Sequence, residues 1–217
     1  MKLSFTSKKQ MEEIPLAPDV ILASQSIGRK MLLEKLGIRF RVVVTRVDEE
    51  KIVDSNPVKT IQKRAQAKAE EVINNPRVFM VPDNRDVIVI AADSMAVVGK
   101  KTYGKALDRE DAARMLGELM GKTHEFTTAV HVITLDLGKV KKTWSKTIVT
   151  KVTLRKMTKP ELDSYIARYD FSRFAAGYTL NETPWDLVSK IDGSYTNVIG
   201  LPFEVLLPIL RTTKIIE

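Results

Sequence analysis

Val87-Ile88-Val89-Ile90-Ala91-Ala92-Asp93 is the stretch on which the fold turns. The unbroken apolar run, rich in β-branched residues, predicts a strand buried on both faces, as in sheets covered by helices on each side. The run then stops on a carboxylate. Burying one is costly unless a partner or a chemical role compensates. In open α/β sheets ligands bind beyond the carboxyl ends of strands, so an acid there marks a candidate site. The plain alternative is an Asp that caps the turn into Ser94-Met95.

Outward from that strand, elements alternate. Val20-Ile21-Leu22-Ala23 predicts a strand, followed by a helix from Ile27 to Leu36 that Gly37 stops. Phe40 to Thr45 reads as a strand and Pro57 to Ile73 as a helix ended by Asn74-Asn75-Pro76. Met95 to Val98 with Gly99-Lys100-Lys101 suggests a short hairpin. Asp108 and Asp111 open a helix whose apolar face is Ala112, Met115, Leu116, Leu119 and Met120, with Gly121 after it. Two β segments, Glu125 to Leu135 and Lys146 to Leu154, flank the Leu137-Gly138 turn. Helices are expected from Thr158-Lys159-Pro160-Glu161 and after Pro202. The expected class is α/β: a mixed twisted sheet flanked by helices, in two lobes around a cleft. Residues 1–18 read as a polar extension and residues 19–217 as one domain.

The 217 residues are 44% hydrophobic and 29% charged, the composition of an ordinary globular protein. No apolar run approaches the roughly 20 residues of a membrane span. Residues 1–18 lack the apolar core of a signal peptide, so the cytoplasm is the expected location. Cysteine is absent, which excludes disulfide and thiol chemistry, and two histidines leave little for a His-rich metal site. A formal charge of +8 suits a phosphorylated small molecule or nucleic acid. The lysines of Lys139-Val140-Lys141-Lys142 read as a solvated hairpin tip.

Several cations stand where apolar residues belong. On the Pro57 to Ile73 helix, Val58, Ile61, Ala65, Ala69 and Val72 form one stripe. Lys68 falls within that stripe and Arg64 flanks it. Such a lysine must either snorkel outward or meet an anion. Arg29 projects from the Leu32-Leu33-Leu36 face of the first helix, in its first turn, where the helix dipole disfavours positive charge. An anion at that helix start would account for it. Ser24-Gln25-Ser26 just before the helix supplies hydroxyls and N–H groups for a phosphate cradle, although Ser26 is also a plain N-cap. Gly104-Lys105 adds a cation that could equally belong to a surface loop. Glu49, in Asp48-Glu49-Glu50, could join Asp93 in holding Mg²⁺ if the fold brings them together.

Taken together, these segments resemble the Maf family of nucleoside triphosphate pyrophosphatases, from about Val20 to Leu210. The likeness rests on Leu22-Ala23-Ser24-Gln25-Ser26 with Arg29-Lys30, Arg64 through Lys68-Ala69, and Ala92-Asp93-Ser94 with Gly104-Lys105. It continues through Ala176-Gly177-Tyr178 and the long segment Gly193-Ser194-Tyr195-Thr196-Asn197-Val198-Ile199-Gly200-Leu201-Pro202. The resemblance implies hydrolysis of a nucleoside triphosphate to the monophosphate and pyrophosphate, a deep nucleotide-binding cleft, and often a homodimer. Its C-terminal segments look like the dTTP/UTP branch.

By that likeness Asp93 is the catalytic carboxylate, as general base or metal ligand. Ser24, Ser26, Arg29, Arg64, Lys68, Ser94, Lys105 and Asn181 bind substrate. Glu49 and Asp93 hold a divalent cation, Mg²⁺ or Mn²⁺. The chain departs from the family pattern at Ile27-Gly28, where Pro and an Arg are usual, and at Asn181-Glu182, where Gln and Gly are usual. Two other readings stay open: a pyrophosphatase for other damaged or modified nucleotides, and a basic module that binds nucleotides or nucleic acid without turnover. Against the latter, no aromatic-rich β surface offers itself for stacking bases, and no membrane partner is implied.

Overall fold

The computed structural model describes residues 17–169, 171–172, 174–180 and 187–217. Of the 1–18 extension, only Ala17 and Pro18 fall within the described residues, and Asn181 and Glu182 fall outside them. The described elements build one seven-stranded sheet, in spatial order Arg41–Val43 (β2), Asp19–Ala23 (β1), Val87–Val98 (β3), Thr123–Asp136 (β5), Lys139–Leu154 (β6) and Val188–Asp192 (β7), with Lys101–Tyr103 (β4) paired on β3.

The first three strands are parallel. Asp19–Ala23 (β1) lies between Arg41–Val43 (β2) and Val87–Val98 (β3). Helix α1, Ile27–Lys35, links β1 to β2; helix α2, Pro57–Asn74, crosses from β2 to β3. The chain leaves β1 toward one neighbour and returns to the other. The carboxyl end of β1 is therefore a topological switch point, where α/β sheets open a crevice. The two helices cover opposite faces. Leu32 and Leu33 of α1 pack with Ile88, Ile90 and Ala92, whereas Ala69 and Val72 of α2 pack with Val87, Val89 and Ala91. That alternation follows from the two-residue period of a strand.

The rest of the sheet is antiparallel. Thr123–Asp136 (β5) pairs β3 continuously from Val87↔Leu135 to Val97↔Glu125, and Lys139–Leu154 (β6) folds back on β5. Lys101–Tyr103 (β4) forms the hairpin with the end of β3. Helix α3, Arg109–Leu119, is capped by Asp108 and buries Ala112, Met115, Leu116 and Leu119. Helix α4, Lys159–Arg168, opens on a capping box between Thr158 and Glu161. Helix α6, Phe203–Thr212, follows Pro202 and buries Leu206, Ile209 and Leu210 against the α1 face.

Four features differ from the sequence reading. Strand β6 begins at Lys139, not at the expected Lys146. Strand β3 does not stop at Ala92 but runs to Val98, because β5 supplies a partner along its whole length. Asp93 is thus inside a strand, not at its end. The β2 strand is only Arg41–Val43, shorter than the expected Phe40 to Thr45. The edge strand Val188–Asp192 (β7) and the short helix Tyr195–Ile199 (α5) are additions, both too short to leave a periodic signature.

Apolar packing divides along β3. Residues up to Ala92 belong to clusters around α1, α2 and α6, while Ala96 joins the cluster of Leu116, Phe126, Leu154 and Tyr178. Asp93 and Ser94 lie between the two, which is the two-lobed division expected from the sequence.

Candidate active site

A gap in the sheet edge creates the site. On its β1 side, β3 pairs as far as Leu22↔Ile90, and pairing with β4 resumes only at Ala96↔Tyr103. Between those points the edge of β3 faces no strand among the described residues, and Asp93 and Ser94 occupy the interval. Successive strand residues face opposite sides. Asp93 therefore meets α2, and Ser94 meets α1.

On the α2 side, Lys68 is 5% exposed and does not snorkel. Its Nζ donates to Glu49 Oε2 at 2.8 Å and to Asp93 Oδ1 at 3.1 Å. The anions that this stripe lysine requires are carboxylates of the protein. Arg64 Nη1 lies 4.0 Å from Asp93 Oδ2, and its Nε donates to the Ile52 carbonyl at 3.1 Å. That last bond ties α2 to the single 3₁₀ turn Glu49–Lys51 that presents Glu49. The loop reaching this turn is anchored again where the Arg46 N–H donates to Glu71 Oε2 at 2.8 Å.

On the α1 side, Arg29 is 8% exposed. Its Nε donates to the Gly200 carbonyl at 2.8 Å, Nη1 to Ser24 Oγ at 3.0 Å and Nη2 to Ser94 Oγ at 2.9 Å. Ser26 is the N-cap of α1, accepting from the Arg29 N–H at 3.4 Å, while Ser24 Oγ accepts from the Ser26 N–H at 3.2 Å. Both serines build the turn that carries Arg29, and their hydroxyl oxygens act as acceptors in these bonds.

Charge in this cluster is balanced closely. Burial pushes the Asp93 carboxyl above its ordinary value; Lys68 and then Arg29 pull it back, and Glu49 adds to the rise. Burial pushes Glu49 upward as well, but Lys68, Arg29 and Arg64 outweigh it and hold that carboxyl below its usual range. Burial lowers the Arg29 guanidinium, opposed by the charges of Asp93 and Glu49. An ionised Glu49 beside a harder-to-ionise Asp93 is a pair driven apart by environment, the pattern that separates roles at catalytic sites.

Six of the sequence-identified site residues therefore form two adjacent clusters, Ser24–Arg29–Ser94 and Glu49–Lys68–Asp93, with Arg64 at the margin of the second; they meet at the neighbouring residues Asp93 and Ser94 and through the charge of Arg29 on Asp93 and Glu49. Lys105 is exposed, and among the described residues no hydrogen bond or ion pair joins it to either cluster. It does bridge Ala175 as an antiparallel partner, and the Ala176 N–H donates to the Gly104 carbonyl at 2.8 Å. Those contacts bring two family-like segments together. Two contributors escaped the sequence reading: Thr128 on β5, opposite Ser94, and the carbonyl of Gly200.

For a metal ion the described protein offers two carboxylates. No cluster of three or more His, Cys, Asp or Glu occurs among the described residues. Two convergent carboxylates fit Mg²⁺ or Mn²⁺, which commonly complete their shell with water and substrate phosphate.

Comparison with known proteins identifies the family. The family described as "Maf-like protein" matches residues 19–213. A dTTP/UTP pyrophosphatase of Aquifex aeolicus is 34% identical over 197 residues, covering 91% of this chain and 96% of that protein. One from Bacillus velezensis is 35% identical, covering 84% of this chain and 90% of the relative. One from Alkaliphilus metalliredigens is 36% identical over the same shares, 84% and 90%. Among solved structures, a HAM1 protein from Coxiella burnetii overlays with a TM-score of 0.43 at 11% identity, covering 91% of this chain and 99% of that one. With a family match across almost its whole described length and relatives of this identity, the chain belongs to the Maf family.

Proposed function

We propose that this protein hydrolyses dTTP, UTP or a related nucleoside triphosphate to the nucleoside monophosphate and pyrophosphate. The observation that carries the reading is the convergence of Glu49 and Asp93 on Lys68, with Arg29 and Arg64 alongside, in the strand gap beyond β1. The similarity to dTTP/UTP pyrophosphatases of Aquifex aeolicus and Bacillus velezensis supports the same reaction.

In this reaction a water oxygen forms a bond to the α-phosphorus, and the α–β anhydride bond breaks. Pyrophosphate leaves with the bonding electrons. Asp93 takes the proton from the attacking water, a task suited to a carboxyl whose pKa is raised toward the working pH. Lys68 holds Asp93 and Glu49 in register. Arg29 and Arg64 place fixed positive charge where the phosphate oxygens gain negative charge, and fixed charge of this kind needs no reorganisation during the reaction. Ser24, Ser26 and Lys105 are assigned to the outer phosphates, and Asn181 to the base. Glu49 would hold a bound Mg²⁺ or Mn²⁺, which would supply further charge neutralisation at the phosphates. We infer a cytoplasmic homodimer from the sequence reading and the family resemblance, a state that light scattering tests.

Product identity tests the reaction. With Mg²⁺ or Mn²⁺ and a panel of nucleoside triphosphates, pyrophosphate and monophosphate should appear together, fastest with dTTP or UTP. Faster turnover of a damaged purine nucleotide would move the substrate and keep the reaction. Release of orthophosphate, or of nothing from a folded protein, would overturn it.

A further inference from the structure

Of the two serine ligands of Arg29, Ser94 is the one whose partners continue into the core. Its Oγ lies 2.9 Å from Thr128 Oγ1, and Thr128 Oγ1 lies 3.0 Å from the Asn197 carbonyl, to which it donates. Thr128 is fully buried and sits directly across the ladder from Ser94. The two ends of this chain have fixed polarity. A guanidinium can only donate, and a peptide carbonyl can only accept. Each hydroxyl between them has a single proton. Thr128 commits its proton to Asn197, so Ser94 must donate to Thr128, and the Ser94 oxygen turns its lone pairs to Arg29. The Asn197 carbonyl also accepts from the Gly200 N–H at 2.9 Å, but the reverse polarity would leave the Thr128 and Asn197 oxygens facing each other at 3.0 Å with no proton between them.

We propose that Thr128 is a positioning residue: by taking the Ser94 proton it fixes the Arg29 guanidinium at the phosphate end of the site. Ser94 then has no proton for the substrate and acts through Arg29. The same inference gives a purpose to the segment from Ser194 to Gly200. It grips Arg29 twice, through the Asn197 carbonyl by way of Thr128 and Ser94, and through the Gly200 carbonyl on Nε. Asn197 is itself anchored, its Nδ2 donating to the Phe126 carbonyl at 2.9 Å and to Thr150 Oγ1 at 3.0 Å. A guanidinium has five N–H donors. Three are used on protein acceptors, which orients the others without immobilising substrate groups.

The inference rests on the proposed pyrophosphatase activity for its kinetic arm only. Thr128→Val keeps the shape and removes the hydroxyl. It should lower kcat/KM on the best nucleotide of the panel about tenfold, as expected of a displaced charge at a reacting group. Thr128→Ser should recover most of the loss. In a double-mutant cycle, Ser94→Ala and Ser94→Ala/Thr128→Val should be equally impaired, because both break one relay. The second arm needs no turnover. Rotation of the Arg29 guanidinium about its Cζ–Nε bond, followed by ¹⁵N NMR, should be slow in the unmodified protein and in Thr128→Ser, and faster in Thr128→Val. Ser94→Ala offers the same readout should Thr128→Val fail to fold. Unchanged rotation in the variants, or strictly additive losses in the cycle, would overturn the proposal. Loss of the kinetic arm alone, through lack of turnover by the unmodified protein, would count against the pyrophosphatase reading and leave the relay to the NMR result.

Discussion

The Lys68 ammonium lies 3.1 Å from Asp93 Oδ1, so the buried lysine of α2 and the interrupted edge of β3 are parts of one ion cluster. Lys68 also holds Glu49 at 2.8 Å. Two carboxylates close enough to share one ammonium repel each other once it is gone. Lys68→Ala should therefore reduce both stability, by about 1–3 kcal/mol, and kcat/KM. The stability figure is kept below that of a fully buried pair because Glu49 remains partly exposed. Thermal melting beside initial rates checks this. A higher melting temperature with unchanged activity would mean that Lys68 serves neither carboxylate.

The pH–rate profile should carry the imprint of the same cluster. With Asp93 as base, activity rises with pH as its carboxyl ionises, and the acid limb should lie above that of an ordinary aspartate. The charge of Glu49 raises the Asp93 pKa, so Glu49→Gln should move the limb to lower pH. The charge of Lys68 lowers it, so Lys68→Met should move the limb to higher pH. Limbs that stay in place in both variants would remove Asp93 as the titrating group.

Gly200 should tolerate no side chain. Its φ of 112° lies where L side chains are strained, and a Cβ there would stand 3.3 Å from Arg29 Nε. Gly200→Ala should cost about 1–3 kcal/mol and lower activity by displacing Arg29. Denaturant unfolding and initial rates report the two effects. Full activity in the alanine variant would mean that Arg29 is not positioned by this turn.

Away from the site, His124 should make the fold acid-sensitive. Burial lowers its pKa from 6.5 to about 4, with Nε2 against the Tyr178 hydroxyl at 2.7 Å. Between those values the unfolded chain binds a proton that the folded one refuses. Stability from this group is thus full above pH 6.5, falls as the pH drops toward 4, and levels off below. The loss amounts to ~3 kcal/mol. Urea midpoints measured from pH 7 to pH 4 should show the slope, and His124→Phe should flatten it. His131, also lowered by burial although Glu70 opposes the shift, leaves a smaller slope of the same sign. An equal slope in His124→Phe would place the acid sensitivity elsewhere.

Much of the site could be read from residues that break a periodic pattern. Lys68 interrupts an apolar helical stripe, Arg29 stands in a first turn that disfavours cations, and Asp93 follows a run with no other polar group. Each misfit is local, so a single sequence displays it. Glu49 was weaker, one acid among three, and only the Lys68 contact singles it out. Thr128 gave no signal, since a threonine in a strand is ordinary and its role comes from the register with Ser94. Backbone carbonyls such as that of Gly200 carry no residue identity at all. The extent of β3 is hidden for a related reason: whether a strand continues past Asp93 depends on β5, a partner some thirty residues away in the chain.

The most direct measurement of the central claim is pyrophosphate release from dTTP and UTP at saturating Mg²⁺, by the unmodified protein beside Asp93→Asn. The substitution keeps the side chain's size and removes the base. A fall in kcat of roughly 10²–10⁴-fold is expected, with the folded state retained. A fall of less than threefold would contradict Asp93 as the residue on which the reaction depends.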